Sequence, residues 1–198
     1  MNPVIRPVRK EDAPAIVEIY APYVLQTPVS FEEVVPSGEE MISRIERIAP
    51  FLPFLVCETN GKVVGYAYAS DYRSRSAYRW IKELSVYIHP DFHRRGIGRA
   101  LYSSVIRILR LQGVTSVLAG ITVPNPESVG FHENFGFRKA GEFLANGFKA
   151  GQWHNVGWWE LDLNPDRRIP CDRILPFVEM PENLLVEIFS QGIKLLSL

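Results

Sequence analysis

Residues Glu83–Gly98, ELSVYIHPDFHRRGIG, decide how this chain is read. Leu84, Val86 and Ile88 alternate with Ser85, Tyr87 and His89, the period of a half-buried strand, and Pro90 ends it. Gly96 and Gly98 then open an apolar-periodic segment, Ile97 to Gln112, with Ile97, Leu101, Val105 and Ile108 on one helical face. A glycine loop that feeds a helix leaves several backbone N–H groups unpaired and adds the positive end of the helix dipole. Such a place suits a phosphate-bearing ligand, and Arg94, Arg95 and Arg99 add positive charge there. The loop is not a Walker A, because no Gly-Lys-Ser/Thr follows. It fits a dinucleotide fingerprint poorly: Leu101 takes the third glycine position, and Gly113 to Pro126 holds no acid for a ribose.

Upstream of this stretch, Val4–Val8 reads as a strand, and Lys10-Glu11-Asp12 starts a helix through Ile16, Ile19 and Tyr20 with Asp12 as cap. Pro22 to Pro36 reads as a loop. A second helix begins at Ser37 or Gly38, with Glu39 and Glu40 in its first turn. Phe54–Glu58 and Val63–Ser70 form a hairpin about Asn60-Gly61. In the loop that follows, Arg73 and Arg75 are two apart and would point the same way if the chain is extended. Two guanidiniums there suit a carboxylate or phosphinate, and the alternative is a solvated basic turn. Downstream, Gly113 closes the helix and Val114–Ile121 is a strand. Asn125 caps a helix that opens at Pro126-Glu127-Ser128, runs through Val129 to Phe135 and stops at Gly136. Strands follow at about 141–148 and 154–163, where Trp158 and Trp159 read as sheet packing.

The 198 residues suffice for one domain with a full core, and 46% hydrophobic with 22% charged residues is ordinary for a soluble globule. A formal net charge of +0 gives no bulk attraction to nucleic acid or anionic membrane. Cys57 and Cys171 make no disulfide framework, and Cys57 reads as a small core residue. The first residues lack an apolar signal core and no stretch is long enough to span a bilayer, so a cytoplasmic protein is expected.

Three stretches resemble the GCN5-related N-acetyltransferase (GNAT) family, in its phosphinothricin or methionine sulfoximine/sulfone acetyltransferase branch. They are ELSVYIHPDFHRRGIGRALY (Glu83–Tyr102), AGITVPNPESVGFHENFGF (Ala119–Phe137) and GFKAGQWHNVGWWELDL (Gly147–Leu163). With Ile5-Arg6-Pro7 the resemblance spans roughly residues 3 to 163. It implies an α/β (α+β) GNAT fold, with one mixed, mostly antiparallel sheet of about seven strands flanked by helices. The domain would occupy 1–163. Residues 164–198 would be an extension with Pro165, Pro170 and Pro176 and an amphipathic helix from Pro181 or Glu182 carrying Leu184, Leu185, Ile188, Phe189 and Ile193.

The resemblance also implies a reaction: direct transfer of acetyl from acetyl-CoA, without a metal, to the α-amino group of a glutamate-like amino acid. Glu83 would be the base; from the residues alone it could equally be an exposed acid paired with Lys82 or an arginine. His132 would protonate the departing thiolate or help bind the acceptor, although a lone helical histidine is more often structural. Main-chain groups of Leu84, Ser85 and Val86 would meet the acetyl and pantetheine parts. The loop Arg94, Arg95, Gly96, Ile97, Gly98 and Arg99 would hold the pyrophosphate, with Asn125 and Ser128 completing the coenzyme site. His93 stands where the family usually has Gln or Arg, and imidazole can still donate a hydrogen bond. Phe31, Glu32, Arg73, Arg75 and Tyr78 would line the acceptor pocket; otherwise Phe31 is a core anchor and Glu32 a solvated charge. His154 is a weaker candidate for that pocket, and Lys149 and His154 are placed at a dimer edge. A homodimer without nucleic-acid or membrane partners is expected. A peptide N-acetyltransferase and a silent acyl-CoA-binding module are the other readings.

Overall fold

The computed structural model describes residues 3–164 and 171–197; Pro165 and Pro170 lie outside them. Seven strands form one sheet in the order β1-β2-β3-β4-β5-β7-β6. They are β1 (Val4–Pro7), β2 (Phe54–Thr59), β3 (Lys62–Asp71), β4 (Ile81–Ile88), β5 (Ser116–Val123), β6 (Arg138–Lys149) and β7 (Gln152–Asp162). Every pairing is antiparallel except β4 with β5. The helices are α1 (Ala13–Gln26), α2 (Gly38–Ile48), α3 (Ile97–Gln112), α4 (Pro126–Asn134) and α5 (Glu182–Ile193).

Both faces of the sheet are covered. On β2, Leu55 and Cys57 join a core with α3 and α5, while Phe54 and Val56 join a second core with α1 and α2. The same division corrects the half-buried reading of β4. Leu84, Val86 and Ile88 face the α3 core, but Tyr87 does not face water. Its ring meets Tyr20 at 4.9 Å and Tyr23 at 5.1 Å, both edge-on. Tyrosine suits such a strand because its ring packs while its hydroxyl finds a partner; the Tyr23 hydroxyl donates to Ile88 O at 2.8 Å.

Two local expectations change. Helix α1 continues to Gln26 with Pro22 inside it, so the loop begins later than the proline implied. Proline costs a helix one hydrogen bond, but Tyr20 and Val24 on either side are buried against the sheet and keep the turn in place. Asp12 does not cap by its side chain. Its carboxylate instead accepts from Arg9 N–H at 2.7 Å and from both terminal nitrogens of Arg6, which also holds Glu58.

Elsewhere the local chemistry acts as expected. Asn60 and Gly61 turn the β2–β3 hairpin at φ 52 and 77. Ser37 accepts from Glu40 N–H at the start of α2. Gly113 ends α3 at φ 91. Helix α5 packs across α3 and β1, with Ile188 buried. Among the described residues no helix is long and apolar enough to cross a membrane.

Leu101, fully buried where α3 meets the sheet, tests the larger core. Leu101→Ala is expected to lower unfolding free energy by about 2–5 kcal/mol, read from the urea midpoint at unchanged slope.

Candidate active site

Strands β4 and β5 pair only at their first residues, Ile81–Glu83 with Ser116–Leu118. Beyond that point β4 stays paired to β3 as far as Ile88, and β5 stays paired to β7 as far as Val123. Two parallel strands held from their outer sides but not by each other open a wedge, with Glu83 at its apex. On the wedge side, main-chain groups of Leu84, Ser85 and Val86 have no β5 partner and need another.

The turn into α3 stands at the open end. Arg94 and Gly96 are left-handed, at φ 59 and 77. The first intrahelical bond runs from Ala100 N–H to Gly96 O at 2.9 Å. The N–H groups before it are those that a helix cannot satisfy itself, and they form an anion-binding concavity. Helix α4 flanks this turn: a Cβ on Gly98 would lie 3.5 Å from the Phe131 ring, and Arg94 approaches Glu127 at 3.7 Å. Arg99 is exposed. Chemically, the wedge and turn fit an extended ligand that hydrogen-bonds to a strand edge and carries an anionic group at its far end.

At the apex, burial pushes the Glu83 carboxyl above its ordinary range. The alternative pairing with Lys82 does not occur. Lys82 lies on the opposite face of β4 and binds Asp71 at 2.5 Å. Bare backbone at Gly120 adjoins the carboxylate: a Cβ there would lie 3.6 Å from Glu83 Oε1 and 3.3 Å from the Trp158 ring. Trp158 in turn meets Tyr72 edge-on at 5.8 Å, and Tyr72 meets Tyr78 at 5.8 Å. The Arg73 guanidinium lies over both tyrosines, at 4.9 and 5.4 Å. This aromatic chain brings Arg73 and Tyr78 towards Glu83. Trp158 Nε1–H is buried without a hydrogen-bond partner, a donor that a bound ligand would satisfy.

Arg75 does not share the Arg73 position by strand alternation. The chain bends at Tyr72 and Ser74 and enters a short 3-10 turn at Ser76, so the extended geometry that would align the two is absent. Arg75 is exposed.

Glu32 is not a solvated charge. Arg44 grips both its oxygens, at 2.7 and 3.0 Å, and the Tyr20 hydroxyl donates to it at 3.1 Å. The Arg44 guanidinium holds the Glu32 carboxyl below the usual range, so it stays ionised. Burial raises the pKa of the Tyr68 hydroxyl, and Tyr68 lies opposite Ser85 on β4, on the strand next to Glu83. A cavity of about 210 Å³ lined by Tyr20, Arg44, Tyr66, Tyr68 and Ser70 lies beneath this face. A larger cavity, about 750 Å³, lies off the wedge beside Phe51, Asp71, Lys82 and Arg173.

Phe31 packs on β6, where a Cβ on Gly147 would lie 2.2 Å from its ring, and its ring lies 6.2 Å from that of His154. Lys149 and His154 are buried within this chain. The Lys149 ammonium donates to Val24 O and Ser30 O and so ties down the loop that carries Phe31 and Glu32.

For His132 the expectation is protonation of the thiolate or binding of the acceptor. The residue is buried at 6% exposure, with both ring nitrogens engaged. Nδ1 lies 2.7 Å from Ser128 O, which can only accept, so Nδ1 carries the proton. Nε2 then accepts from the buried Tyr102 hydroxyl at 2.9 Å. Burial lowers the His132 pKa and keeps the ring neutral. Asn125 accepts from Ser128 N–H at 3.1 Å, as its capping sequence implied. His93 turns its imidazole back on Ile88 O, at 3.0 Å, and on the Tyr23 hydroxyl. It therefore stiffens the end of β4 rather than facing the wedge. Among the described residues no cluster of His, Cys, Asp or Glu could hold a metal ion.

Sequence reasoning missed Arg44, Tyr68, Tyr72, Gly120 and Trp158 as neighbours of the site. They lie on α2, β3, the loop after it, β5 and β7, and only the sheet order brings them together.

The family model described as an acetyltransferase (GNAT) domain matches residues 5–158. A phosphinothricin N-acetyltransferase of Streptomyces viridochromogenes is 37% identical over 80% of this chain and 87% of its own. An L-methionine sulfoximine/L-methionine sulfone acetyltransferase of Salmonella typhimurium is 35% identical over 81% of this chain and 94% of its own. The crystal structure of a phosphinothricin acetyltransferase from Sinorhizobium meliloti with acetyl-CoA bound superposes with a TM-score of 0.83 at 33% identity, covering 89% of this chain and 97% of that one.

The His132 geometry predicts a stability effect. His132→Phe leaves the buried Tyr102 hydroxyl without its Nε2 acceptor, at a cost of about 1–3 kcal/mol. Chemical denaturation is expected to register that loss, and unchanged stability would show that the hydroxyl finds another partner.

Proposed function

Since this chain belongs to the GNAT acetyltransferase family and is an acetyl-CoA-dependent N-acetyltransferase, we propose that its acceptor is the α-amino group of a glutamate-like amino acid. Phosphinothricin, methionine sulfoximine and methionine sulfone are the model acceptors. The observation that carries this reading is a half-buried carboxylate, Glu83, with no ion-pair partner among the described residues, at the apex of the wedge, on the same side as Trp158, Tyr72 and the cationic Arg73.

In the proposed reaction, the acceptor enters as an ammonium and cannot attack until it loses a proton. Glu83 takes that proton, directly or through one water. Its raised pKa makes it a better base than an exposed carboxylate. The amine nitrogen attacks the thioester carbon; the N–C bond forms, the C–S bond breaks, the sulfur leaves as thiolate, and the second proton that the nitrogen sheds passes through solvent to that sulfur. Main-chain groups of Leu84 to Val86 hold the thioester along β4, and the Arg94–Arg99 turn takes the pyrophosphate. Holding both substrates together supplies much of the acceleration without a covalent enzyme intermediate. Arg73 pairs with the acid group of the acceptor while Tyr78 and Tyr72 support its guanidinium from below. Glu32, kept ionised by Arg44, adds a negative charge that suits an incoming ammonium. His132 acts through Tyr102 as a positioning residue.

Two measurements test this. Glu83 works deprotonated, and its pKa is raised, so kcat/KM is expected to rise with pH through a limb above the ordinary carboxylate range. Glu83→Gln is expected to remove that limb and lower kcat by about 10²–10⁴, with acetyl-CoA binding retained; an unaltered limb would assign the base elsewhere. Thiol release from acetyl-CoA with phosphinothricin, methionine sulfoximine, methionine sulfone, common amino acids and a mixed peptide then identifies the acceptor. Arg73→Ala is expected to raise KM for the acidic acceptors about tenfold or more, as for the loss of a charged hydrogen bond. Release with the peptide alone would overturn the amino-acid reading.

A further inference from the structure

The segment after α5 reaches the turn that leads into α3. Helix α5 is seated on α3 at Gly192, where a Cβ would lie 2.5 Å from Ser104 Oγ, 2.9 Å from Ile5 Cδ1 and 3.2 Å from Ala100 O. So close an approach of two backbones sets the register of one helix on the other. Beyond α5 the chain tightens, with Leu195 N–H donating to Gly192 O and Leu196 N–H to Ile193 O, at 3.0 and 3.1 Å. Leu195 and Leu196 pack into the α3 core. Ser197 N–H then donates to Arg95 O at 3.0 Å. A Cβ on Gly96 would lie 2.3 Å from Leu195 O and 3.2 Å from Leu196 Cα. Gly96 is therefore required both by its φ of 77 and by this contact.

Arg95 C=O and Gly96 N–H belong to one planar trans peptide and point in opposite directions. With the carbonyl bound to Ser197 N–H, the Gly96 N–H faces away from the segment. The segment also approaches from the flank of α5, which lies on β1 at one edge of the sheet, whereas β5 and α4 stand on the other flank of the turn. We infer that residues 195–197 are a positioning element for acetyl-CoA. They brace the Arg94–Gly96 turn from its carbonyl side and hold its N–H groups towards the wedge. The inference rests on that turn being the pyrophosphate seat.

The test compares two acetyl donors on the full chain: acetyl-CoA, and S-acetylpantetheine, which has no pyrophosphate. Ser197→Pro removes the N–H donor, and Leu196→Asp disrupts the packing behind it; Ser197→Ala keeps the N–H as a control. The first two variants are expected to raise KM for acetyl-CoA about fivefold to tenfold, the range for one lost hydrogen bond. Use of S-acetylpantetheine and kcat are expected to stay unchanged, as is every property of Ser197→Ala; Ser197→Pro, at an exposed position, is expected to keep the melting temperature, whereas Leu196→Asp lowers it and its KM is read well below the transition. Equal loss with both donors, or a lowered melting temperature that accounts for the loss, would reduce the contact to general stability and overturn the inference. Unchanged acetyl-CoA KM in both variants would overturn it too. A full chain that uses the two donors equally well would instead overturn the pyrophosphate seat itself.

Discussion

The parting of β4 from β5 after Glu83 and Leu118 is the constraint on which the site depends. A parallel pair inside a sheet normally hydrogen-bonds along its whole length, and buried main-chain groups left single are costly. Here each strand is secured from the other side, β4 by β3 and β5 by β7. The gap persists because its walls are already fixed. It offers a ligand main-chain groups along one edge, a half-buried carboxylate at the closed end and a helix N-terminus at the open end. Antiparallel neighbours on both flanks are thus what make the single parallel pairing useful.

Cover on both sheet faces sets the electrostatics. Tyr20, Tyr23, Tyr66, Tyr68 and Tyr87 gather under α1 and α2 beside Glu83, and burial raises the pKa of Tyr66, Tyr68 and Tyr87. A face built of tyrosine excludes water while it keeps hydroxyls available for hydrogen bonds. Glu83 shares that face without a counter-ion, and Glu32 shares it with Arg44, so two carboxylates a short way apart are driven in opposite directions. One becomes a stronger base and the other stays charged, by environment alone.

The residues that carry the most apolar weight outside the family-matched 5–158 also join this design. Helix α5 had an apolar stripe that needed cover, and α3 with β1 supplies it. The consequence is local: the helix that follows the Arg94–Gly96 turn is packed on a second helix, and the chain beyond α5 touches the turn itself.

Local chemistry was readable in the sequence wherever the cause was local. The hairpin at Asn60-Gly61, the Asn125 cap, the Gly113 stop and the glycine turn into α3 depend on φ, on capping atoms and on periodicity, and each stands where its residues imply. The family resemblance, resting on motif residues, extended the same legibility to the sheet. What the tertiary structure alone decided came from contacts distant in sequence. Pro22 stays helical because Tyr20 and Val24 are buried. Tyr87 is partly buried because α1 packs on it. Glu32 is claimed by Arg44, and His132 is closed in with Tyr102. Trp158 read as packing and proved a neighbour of the Glu83 side of β5, because β7 inserts between β5 and β6 in the sheet. Side-chain partners such as these are set by which strands and helices become neighbours, and no single stretch of sequence holds that information.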